Sequence, residues 1–162
     1  STNLRLDDQL CFALYAATNA VTRAYRPLLR AVGLTYSQYL VMLVLWEQDH
    51  VAVHEIADRL ELAPHAISPL LGRLEEAELV VRRRDVADRR VTWVELTEGG
   101  AALEAEASAA QYAVVDQTRL CSGELDDLRD TLRELVSRMG VDSGSRAPHV
   151  AQVPGHDRST DT

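Results

Sequence analysis

The segment that decides the fold spans residues 79–97 and reads LVVRRRDVADRRVTWVELT. Its two ends, residues 80–84 and 91–96, are rich in residues that favour β-strands, and the polar stretch 85–90 separates them. This pattern predicts a β-hairpin. The hairpin concentrates positive charge, because it carries five arginines: Arg82, Arg83, Arg84, Arg89 and Arg90. Such a cluster is suited to contact phosphate groups, although a run of charge is also typical of a solvated sheet edge.

Before the hairpin, the apolar residues recur at three- to four-residue steps. Residues 6–32 show this period and predict a long helix, which Pro27 is expected to kink or to end in its first part. Thr35, followed three residues later by Gln38, predicts a capping box that opens a second helix ending near residue 49.

Two shorter helices follow and complete a recognisable unit. Residues 53–60 predict a third helix, and Leu62 and Ala63 form a turn. Pro64 suits the first position of a fourth helix, which runs to Ala77. Two helices joined by so short a turn resemble a helix-turn-helix.

The chain after the hairpin is predicted to return to helix. Thr97 is a candidate cap for a long helix, and Ser122 for another that reaches residue 139. The outer helices, 6–32 and 98–139, carry leucine stripes that either cover the core of their own subunit or, as we favour, pack against a second subunit. Residues 140–162 are rich in Gly, Ser, Pro, Asp and His, which predicts a disordered tail.

Size and composition predict one domain over residues 1–139, with its helix-turn-helix and hairpin in residues 35–97. The 162 residues contain no apolar run of the ~18 residues that a membrane span needs, and no basic leader with a cleavage site, which predicts a cytoplasmic location. Cys11 and Cys121 have neither metal-ligand nor CxxC spacing, so we predict no metal and no cofactor. The net charge of -8 argues against a nucleic-acid partner, but the arginines of the hairpin are segregated from the acidic stretch 95–134.

The order of helices, recognition helix, hairpin and long helix resembles the MarR family of bacterial regulators. Residues 88–90 (DRR) and 97–100 (TEGG) look like the wing of that family and its exit. Three further strings resemble its organic-hydroperoxide-sensing, OhrR-like branch: LDDQLCFALY at 6–15, YRPLL at 25–29 and GLTYSQYL at 33–40. The likeness covers about residues 4–100. It implies a mainly α winged helix-turn-helix protein, dimerised through its N- and C-terminal helices.

The resemblance also implies a mechanism and a set of residues. It implies a homodimeric repressor, without enzymatic turnover, that binds a palindromic operator in duplex DNA and releases it when organic hydroperoxide oxidises Cys11. Tyr25 and Tyr36 are the candidate hydrogen-bond donors to the thiolate, and Cys121 is either a resolving thiol or uninvolved. The candidate pocket for the peroxide is formed by Phe12, Tyr15 and Trp46, which are otherwise plain core residues.

Physical chemistry adds a constraint on this sensor. Cys11 lies within about a turn and a half of the predicted helix start, where the helix dipole favours a thiolate. Asp7 and Asp8 oppose this by like-charge repulsion, so donors elsewhere must stabilise the thiolate. Tyr25 follows Cys11 by fourteen residues, which is about 21 Å along a straight helix. The two residues can therefore pair only across a dimer. The alternative is that Cys11 is a small buried hydrophobe.

The predicted recognition helix departs from its relatives. Its expected outward residues are His65, Ala66, Ser68, Pro69 and Arg73. The sensing branch begins this helix with a string similar to Asp-Ser-Gly-Thr, whereas residues 63–66 here read APHA, and Gly72 replaces a basic residue. Because both changes remove polar groups, the operator sequence cannot be carried over from the branch.

The sequence is also compatible with two other functions. A MarR-type repressor can instead be released by a small phenolic or aromatic ligand, with Cys11 structural. A thiol peroxidase, a different class of protein, would consume many peroxides per subunit. For the repressor itself, we expect Arg90 to enter a minor groove and Arg82, Arg83 and Arg84 to meet phosphates.

Overall fold

The computed structural model describes residues 3–140, which divide into one compact unit ending at Arg119 and a second beginning at Leu120. The elements of the first unit, after a short 3-10 turn at Leu6–Asp8, are α1 (Leu10–Ala31), α2 (Tyr36–Glu47), β1 (Val51–Ala52), α3 (Val53–Arg59), α4 (Pro64–Glu76), β2 (Val80–Arg84), β3 (Thr92–Leu96), α5 (Glu98–Ala102) and α6 (Glu104–Thr118). The described part of the second unit contains α7 (Ser122–Met139). The prediction of a single domain over 1–139 stays a prediction.

The predicted helix-turn-helix and hairpin are both present. Helices α3 and α4 are joined by a four-residue connection, and β2 pairs with β3 in an antiparallel hairpin in which Arg82 lies opposite Val94. A third strand, β1, pairs with the other edge of β3, with Val51 opposite Val94. This strand was not predicted, since two residues are too short to show an alternating pattern. The fold is mainly α with a small sheet, as the sequence predicts.

The first helix begins later than its periodicity predicts. Residues 6–8 form a separate 3-10 turn, and Gln9 has an extended backbone, so that α1 begins at Leu10. Cys11 is therefore in the first turn of α1, closer to the helix start than expected. Pro27 lies inside α1 and does not end it. At the next helix, the predicted capping box is confirmed: Gln38 N donates to Thr35 Oγ1, and Thr35 N donates to Gln38 Oε1.

Two expectations for the chain after the hairpin are wrong. Thr97 does cap a helix, but α5 ends at Ala102 and α6 begins at Glu104, so the long helix is in two pieces. Ser122 is not the cap of α7. Cys121 is, because Glu124 stands three residues after it: Sγ of Cys121 accepts the backbone N–H of Glu124, and the Glu124 carboxylate accepts the N–H of Cys121 at 2.8 Å. The glutamate thus places the cap one residue earlier than the hydroxyl preference suggests.

The core of the first unit lies where α1, α2, α4 and the sheet meet. Helix α1 packs against α2 and α6, and α4 packs against α2 and β2. A fully buried side chain of the size of valine, leucine or methionine stabilises the fold by roughly 1.5–3 kcal/mol relative to leaving it exposed. The largest fully buried side chains are Leu29, Val41, Met42, Leu45, Ile56, Ile67, Leu71, Leu74, Val80 and Val94.

Within residues 3–140, no single helix is long and apolar enough to cross a membrane. Only α1 and α2 taken together, across a bend of 76°, reach that length and composition, as core helices of globular proteins also do. Gly140 ends α7 as its C-cap. Apart from Gly140, the tail that the sequence predicts to be disordered, residues 140–162, lies outside the described residues.

Candidate nucleic-acid interface and thiol site

The turn of the hairpin is organised by Asp85. Its Oδ2 accepts the backbone N–H groups of Ala87 and Asp88 at 3.0 and 2.8 Å, and its Oδ1 accepts the indole N–H of Trp93 at 2.9 Å. The hydrogen bond from Asp88 N, with those from Trp93 and Ala87, lowers the pKa of the Asp85 carboxyl. Sequence reasoning assigned no role to Asp85, although an aspartate at the start of a turn often accepts such bonds. The hairpin tip is thus held in one shape.

Beside it, Asp88 holds the side chain of Arg90. The Nε and a terminal nitrogen of Arg90 each donate to one carboxylate oxygen of Asp88 at 3.0 Å, and Arg90 N donates to Oδ1. The Arg90 guanidinium lowers the pKa of the Asp88 carboxyl. Arg84 and Arg89 are exposed on the same hairpin. Entry of Arg90 into a minor groove stays a prediction; in the free protein its charge is partly balanced by Asp88.

Arg82 joins the hairpin to helix α4. Its Nε and a terminal nitrogen lie 2.8 and 2.7 Å from Glu75 Oε2, and its backbone N–H donates to Glu75 Oε1 at 3.0 Å. Both side chains are about one third exposed. A Cβ placed on Gly72 would lie 4.0 Å from a terminal nitrogen of Arg82, which is ordinary van der Waals contact, so a small side chain also fits beside the guanidinium. The geometry suits Arg82 to position the hairpin against α4, while its contact with phosphate stays a prediction.

Replacing Glu75 with glutamine tests this link. The Arg82 hydrogen bonds lower the pKa of Glu75, so the stability they contribute is fully present above the ordinary glutamate pKa of about 4.3 and is lost as pH falls through the lowered value. At pH 7 we expect Glu75→Gln to reduce the free energy of unfolding by about 1 kcal/mol, the low end for a charge-assisted hydrogen bond that is partly exposed. Denaturant unfolding measured from pH 7 downward should show the difference at pH 7 and its loss as pH falls through the lowered pKa of Glu75. A loss that does not change with pH would contradict the assignment.

The outward face of α4 carries the predicted contact residues. His65, Ser68, Pro69 and Arg73 are exposed, whereas Ala66 is half-buried. A groove of about 280 Å³ lies between α3, α4 and the hairpin, and Ser68 contributes to its wall. It is lined by Val53, His54, Ala57, Pro64, Ser68, Arg82, Arg90 and Thr92. The helix and the basic hairpin therefore border one surface.

A cluster that sequence reasoning missed links His50, which precedes β1, to residues of the hairpin. The ring of His50 stacks on Trp93 with centroids 4.4 Å apart, and its Nδ1 lies 2.9 Å from Glu95 Oε1. The other Glu95 oxygen lies 3.3 Å from Arg83 Nε. His50 has a φ of 60°, and this residue directly precedes β1. The cluster ties the start of β1 to β3 and holds Arg83, which remains 70% exposed.

Cys11 is an exposed free thiol in the first turn of α1. This position contradicts the alternative in which it is a buried core residue of the single chain. The first N–H groups of a helix and its dipole favour negative charge. Cys121 is also exposed and free, and belongs to the second unit, where its sulfur caps α7.

Tyr25 and Tyr36 are brought together, with Tyr39 as an unpredicted third member. The ring centroid of Tyr25 lies 5.6 Å from that of Tyr36 and 5.3 Å from that of Tyr39. Burial is the main cause that raises the pKa of all three hydroxyls, and a hydrogen bond links Tyr25 to Tyr39. All three hydroxyls are therefore protonated at neutral pH. Cys11 is not part of this cluster, since the unbroken α1 separates it from Tyr25 by fourteen residues.

The three residues of the predicted peroxide pocket differ in their contacts and in their exposure. Trp46 donates its indole N–H to Gly100 O at 2.9 Å, and its ring lies 6.4 Å from that of Tyr39. It lines a cavity of about 450 Å³ between α2 and α6. Phe12 is half-buried and Tyr15 is 55% exposed. Within the described range, neither Phe12 nor Tyr15 lines this cavity. A pocket shared by all three residues therefore stays a prediction.

Comparison with known proteins agrees with this geometry. A family model described as transcriptional regulator SarA/Rot matches residues 23–106. The HTH-type transcriptional regulator TtmR of Methylorubrum extorquens is 42% identical over 140 residues, covering 86% of this chain and 72% of TtmR. The organic hydroperoxide resistance transcriptional regulator of Bacillus subtilis is 33% identical over 137 residues, covering 85% of this chain and 93% of the relative.

Solved structures show the same architecture. Reduced AbfR bound to DNA superposes with a TM-score of 0.71 at 32% identity, covering 84% of this chain and 93% of AbfR, a protein of Staphylococcus epidermidis. CouR from Rhodococcus jostii, bound to p-coumaroyl-CoA, superposes with a TM-score of 0.72 at 26% identity, covering 89% of this chain and all of CouR. The winged helix, the basic hairpin and these relatives together place the chain in the SarA/Rot family of MarR-like transcriptional regulators.

Proposed function

We propose that this chain is a homodimeric repressor that binds a palindromic operator in the cytoplasm and releases it when an organic hydroperoxide oxidises Cys11. The observation that carries the proposal is the exposed Cys11 thiol at the start of α1, in a chain 33% identical to an organic hydroperoxide resistance regulator. The protonated tyrosine cluster supplies donors of the kind that a thiolate needs.

The DNA side of the proposal rests on one surface. Helix α4 presents His65, Ser68 and Arg73, and the adjoining hairpin presents exposed arginines. In helix-turn-helix proteins the second helix lies in the major groove, and dimers read half-sites about one helical turn apart. Arginine favours a narrow minor groove, and phosphate contacts supply affinity without choosing sequence. The sequence preference of this chain therefore depends on α4.

The dimer is supported by apolar surface that the chain leaves uncovered. On α7, Leu128, Leu132 and Val136 recur every four residues, and each is between 39% and 50% exposed. On α1, Leu10 and Tyr15 are more than half exposed, as is Tyr112 on α6. The row on α7 is suited to packing against a second copy, because contiguous exposed apolar surface marks an interaction site.

The proposed chemistry at Cys11 is a two-electron oxidation. The thiolate attacks one peroxide oxygen, the O–O bond breaks, and the alkoxide leaves as an alcohol after taking up a proton. Cysteine sulfenic acid remains. If Cys121 then attacks that sulfur, a disulfide forms and water leaves. A covalent change at the subunit seam would shift one subunit against the other and alter the spacing of the two α4 helices.

A direct test treats the reduced protein with cumene hydroperoxide and measures operator binding by fluorescence anisotropy, beside a non-reducing gel. We expect DNA binding to fall by at least tenfold in the natural chain, while Cys11→Ser keeps its affinity and ignores the peroxide. Peroxide consumption should stop near one equivalent per subunit. Unchanged DNA binding after oxidation of Cys11 would refute the proposal, and many turnovers would favour a thiol peroxidase.

The matched variant Cys121→Ser separates the two oxidised states. A cross-linked dimer that disappears in this variant supports a resolving role for Cys121. Loss of DNA binding without a cross-link assigns the response to Cys11 sulfenic acid or to a mixed disulfide with a small thiol.

A ligand-released repressor is the second candidate. The observation that favours it is the CouR complex with p-coumaroyl-CoA, together with the cavity of about 450 Å³ that Tyr39 and Trp46 line. Under this alternative, Cys11→Ser would respond to a phenolic ligand as the natural chain does, and peroxide would have no effect on either.

A further inference from the structure

A basic groove lies beside the tyrosine cluster. It has a volume of about 570 Å³ and runs between the C-terminal half of α1 and the start of α2. Its wall is formed by Thr22, Arg26, Arg30, Gly33, Leu34, Thr35, Tyr36 and Ser37. Arg26 and Arg30 are both exposed, and neither forms an ion pair with any other residue of the described range 3–140. In a chain of net charge -8, two arginines one turn apart are left without acidic partners.

An acidic turn stands at the other end of the same helix. Asp7 and Asp8 are exposed on the 3-10 turn that precedes α1, three to four residues before Cys11. Asp8 has only a long contact of 4.0 Å to Arg5 and a hydrogen bond from Asn3, and the described range 3–140 contains no ion pair of Asp7. Exposed leucines lie on both sides of the two aspartates, at 59% for Leu6 and 61% for Leu10. The turn is therefore both acidic and apolar, and free to dock.

The register of the proposed dimer brings these two features together. If Cys11 faces the partner subunit's Tyr25, two-fold symmetry makes the two α1 helices antiparallel, and positions whose numbers add to 36 lie at the same level. Leu10, the first residue of α1, then lies at the level of the partner's Arg26. Asp7 and Asp8 belong to the turn before Leu10, so they lie beyond that level, toward the partner's Arg30.

We propose that the acidic turn of a second copy docks in this basic groove, so that Asp7 and Asp8 pair with the partner's Arg26 and the partner's Arg30, and that this contact seats Cys11 at the tyrosine cluster. The proposal rests on the cross-subunit sensor proposed above. It also removes a difficulty within it, because the two carboxylates that oppose a Cys11 thiolate are neutralised by arginine. Nearby guanidinium charge favours a thiolate, so the reactive thiol is complete only in the dimer.

Charge reversal tests this pairing in the full chain. Asp7→Arg with Asp8→Arg, or Arg26→Asp with Arg30→Asp, should weaken the dimer by about 100-fold in sedimentation equilibrium, because like charges opposed across an interface are strongly unfavourable. Oxidation of Cys11 by cumene hydroperoxide should slow in Arg26→Asp with Arg30→Asp, because Cys11 then loses its seat at the tyrosine cluster and keeps both carboxylates beside it. Combining all four changes restores opposite charges at each contact, and should return both quantities to within about threefold of the natural chain. Glu55→Arg with Asp58→Arg is the matched control, since both residues are exposed on α3 and neither lines the groove.

The outcomes separate this inference from the function on which it rests. Failure of the fourfold variant to recover the dimer, with circular dichroism showing intact helices, overturns the docking. The same follows if Glu55→Arg with Asp58→Arg weakens the dimer as much as the reversed pairs do. Recovery of the dimer, combined with DNA binding that ignores peroxide in the natural chain, supports the docking and refutes the sensor.

Discussion

Gly100→Ala should be the most destabilising alanine substitution of a glycine in the first unit. A Cβ at Gly100 would lie 2.0 Å from the carbonyl oxygen of Leu79 and 3.0 Å from its carbon, and this obstacle is backbone that cannot rotate away. The same oxygen accepts the N–H of Thr97, so moving it also strains the exit of the hairpin. We expect a loss of about 3 kcal/mol, since overpacking a dense site costs about 1–3 kcal/mol and backbone clashes lie at the upper end. The melting temperature should fall by about 10 °C.

Gly99→Ala provides the matched control one residue away. There a Cβ meets Glu78 O and Thr97 Oγ1 at 3.7 Å, which is ordinary van der Waals contact. Because alanine favours a helix over glycine by roughly 0.5–1 kcal/mol, Gly99→Ala should be neutral or slightly stabilising. Calorimetry of both variants decides the matter. Equal melting temperatures would show that β3, α5 and Leu79 are not held as closely as the structure has them.

The contrast between these glycines illustrates what the sequence predicts and what it does not. The string TEGG at 97–100 marks the exit of the hairpin, and the Thr97 cap is recognisable from the residue type alone. Which glycine is indispensable depends on a contact with Leu79, twenty-one residues earlier in the chain, and on the indole of Trp46. Local patterns carry no information about such contacts.

The same distinction applies to the candidate interface. The arginine-rich hairpin follows from a two-residue period and a count of charges, and it is present as predicted. The interactions of each arginine do not follow from that count. Arg82 is engaged by Glu75, Arg83 by Glu95, and Arg90 by Asp88, whereas Arg84 and Arg89 are exposed. Glu75 and Glu95 belong to α4 and β3 and are brought near by the fold, whereas Asp88 lies only two residues before Arg90 in the sequence.

For the thiol site, one constraint from helix geometry proved more informative than residue type. The fourteen-residue separation of Cys11 and Tyr25 is confirmed as unbroken helix, so a single chain does not pair them. The tyrosine cluster itself, including Tyr39, required the packing of α1 on α2. The spacing of apolar residues also did not predict the 3-10 turn that contains Asp7 and Asp8. A three-residue turn followed by one extended residue does not interrupt the apolar pattern, so the sequence reads as one continuous helix.

At the hairpin tip, Asp85→Ala should cause the second large effect, a loss of operator affinity. Asp85→Ala removes the acceptor for Ala87 N, Asp88 N and the Trp93 indole, and Val86 at the tip is 98% exposed, so no burial replaces those bonds. The tip must then be ordered at the moment of DNA binding, and each ordered residue costs about 1–2 kcal/mol of backbone entropy. We expect operator affinity to fall by about 100-fold while the melting temperature changes little, as measured by anisotropy and calorimetry.

Asp85→Asn and pH distinguish this account from a simple loss of charge. Asparagine keeps one acceptor oxygen, so it can hold either the turn or Trp93, and we expect an affinity loss of about tenfold. The hydrogen bonds that lower the Asp85 pKa keep the carboxylate ionised above the ordinary aspartate value of about 3.9, and the turn is lost only as pH falls through the lowered value. Between pH 5 and 8, the ratio of affinities of the natural chain and Asp85→Ala should therefore stay constant. An alanine variant as tight as the natural chain would mean that DNA orders the tip without Asp85, and that the exposed arginines alone fix the position of the wing.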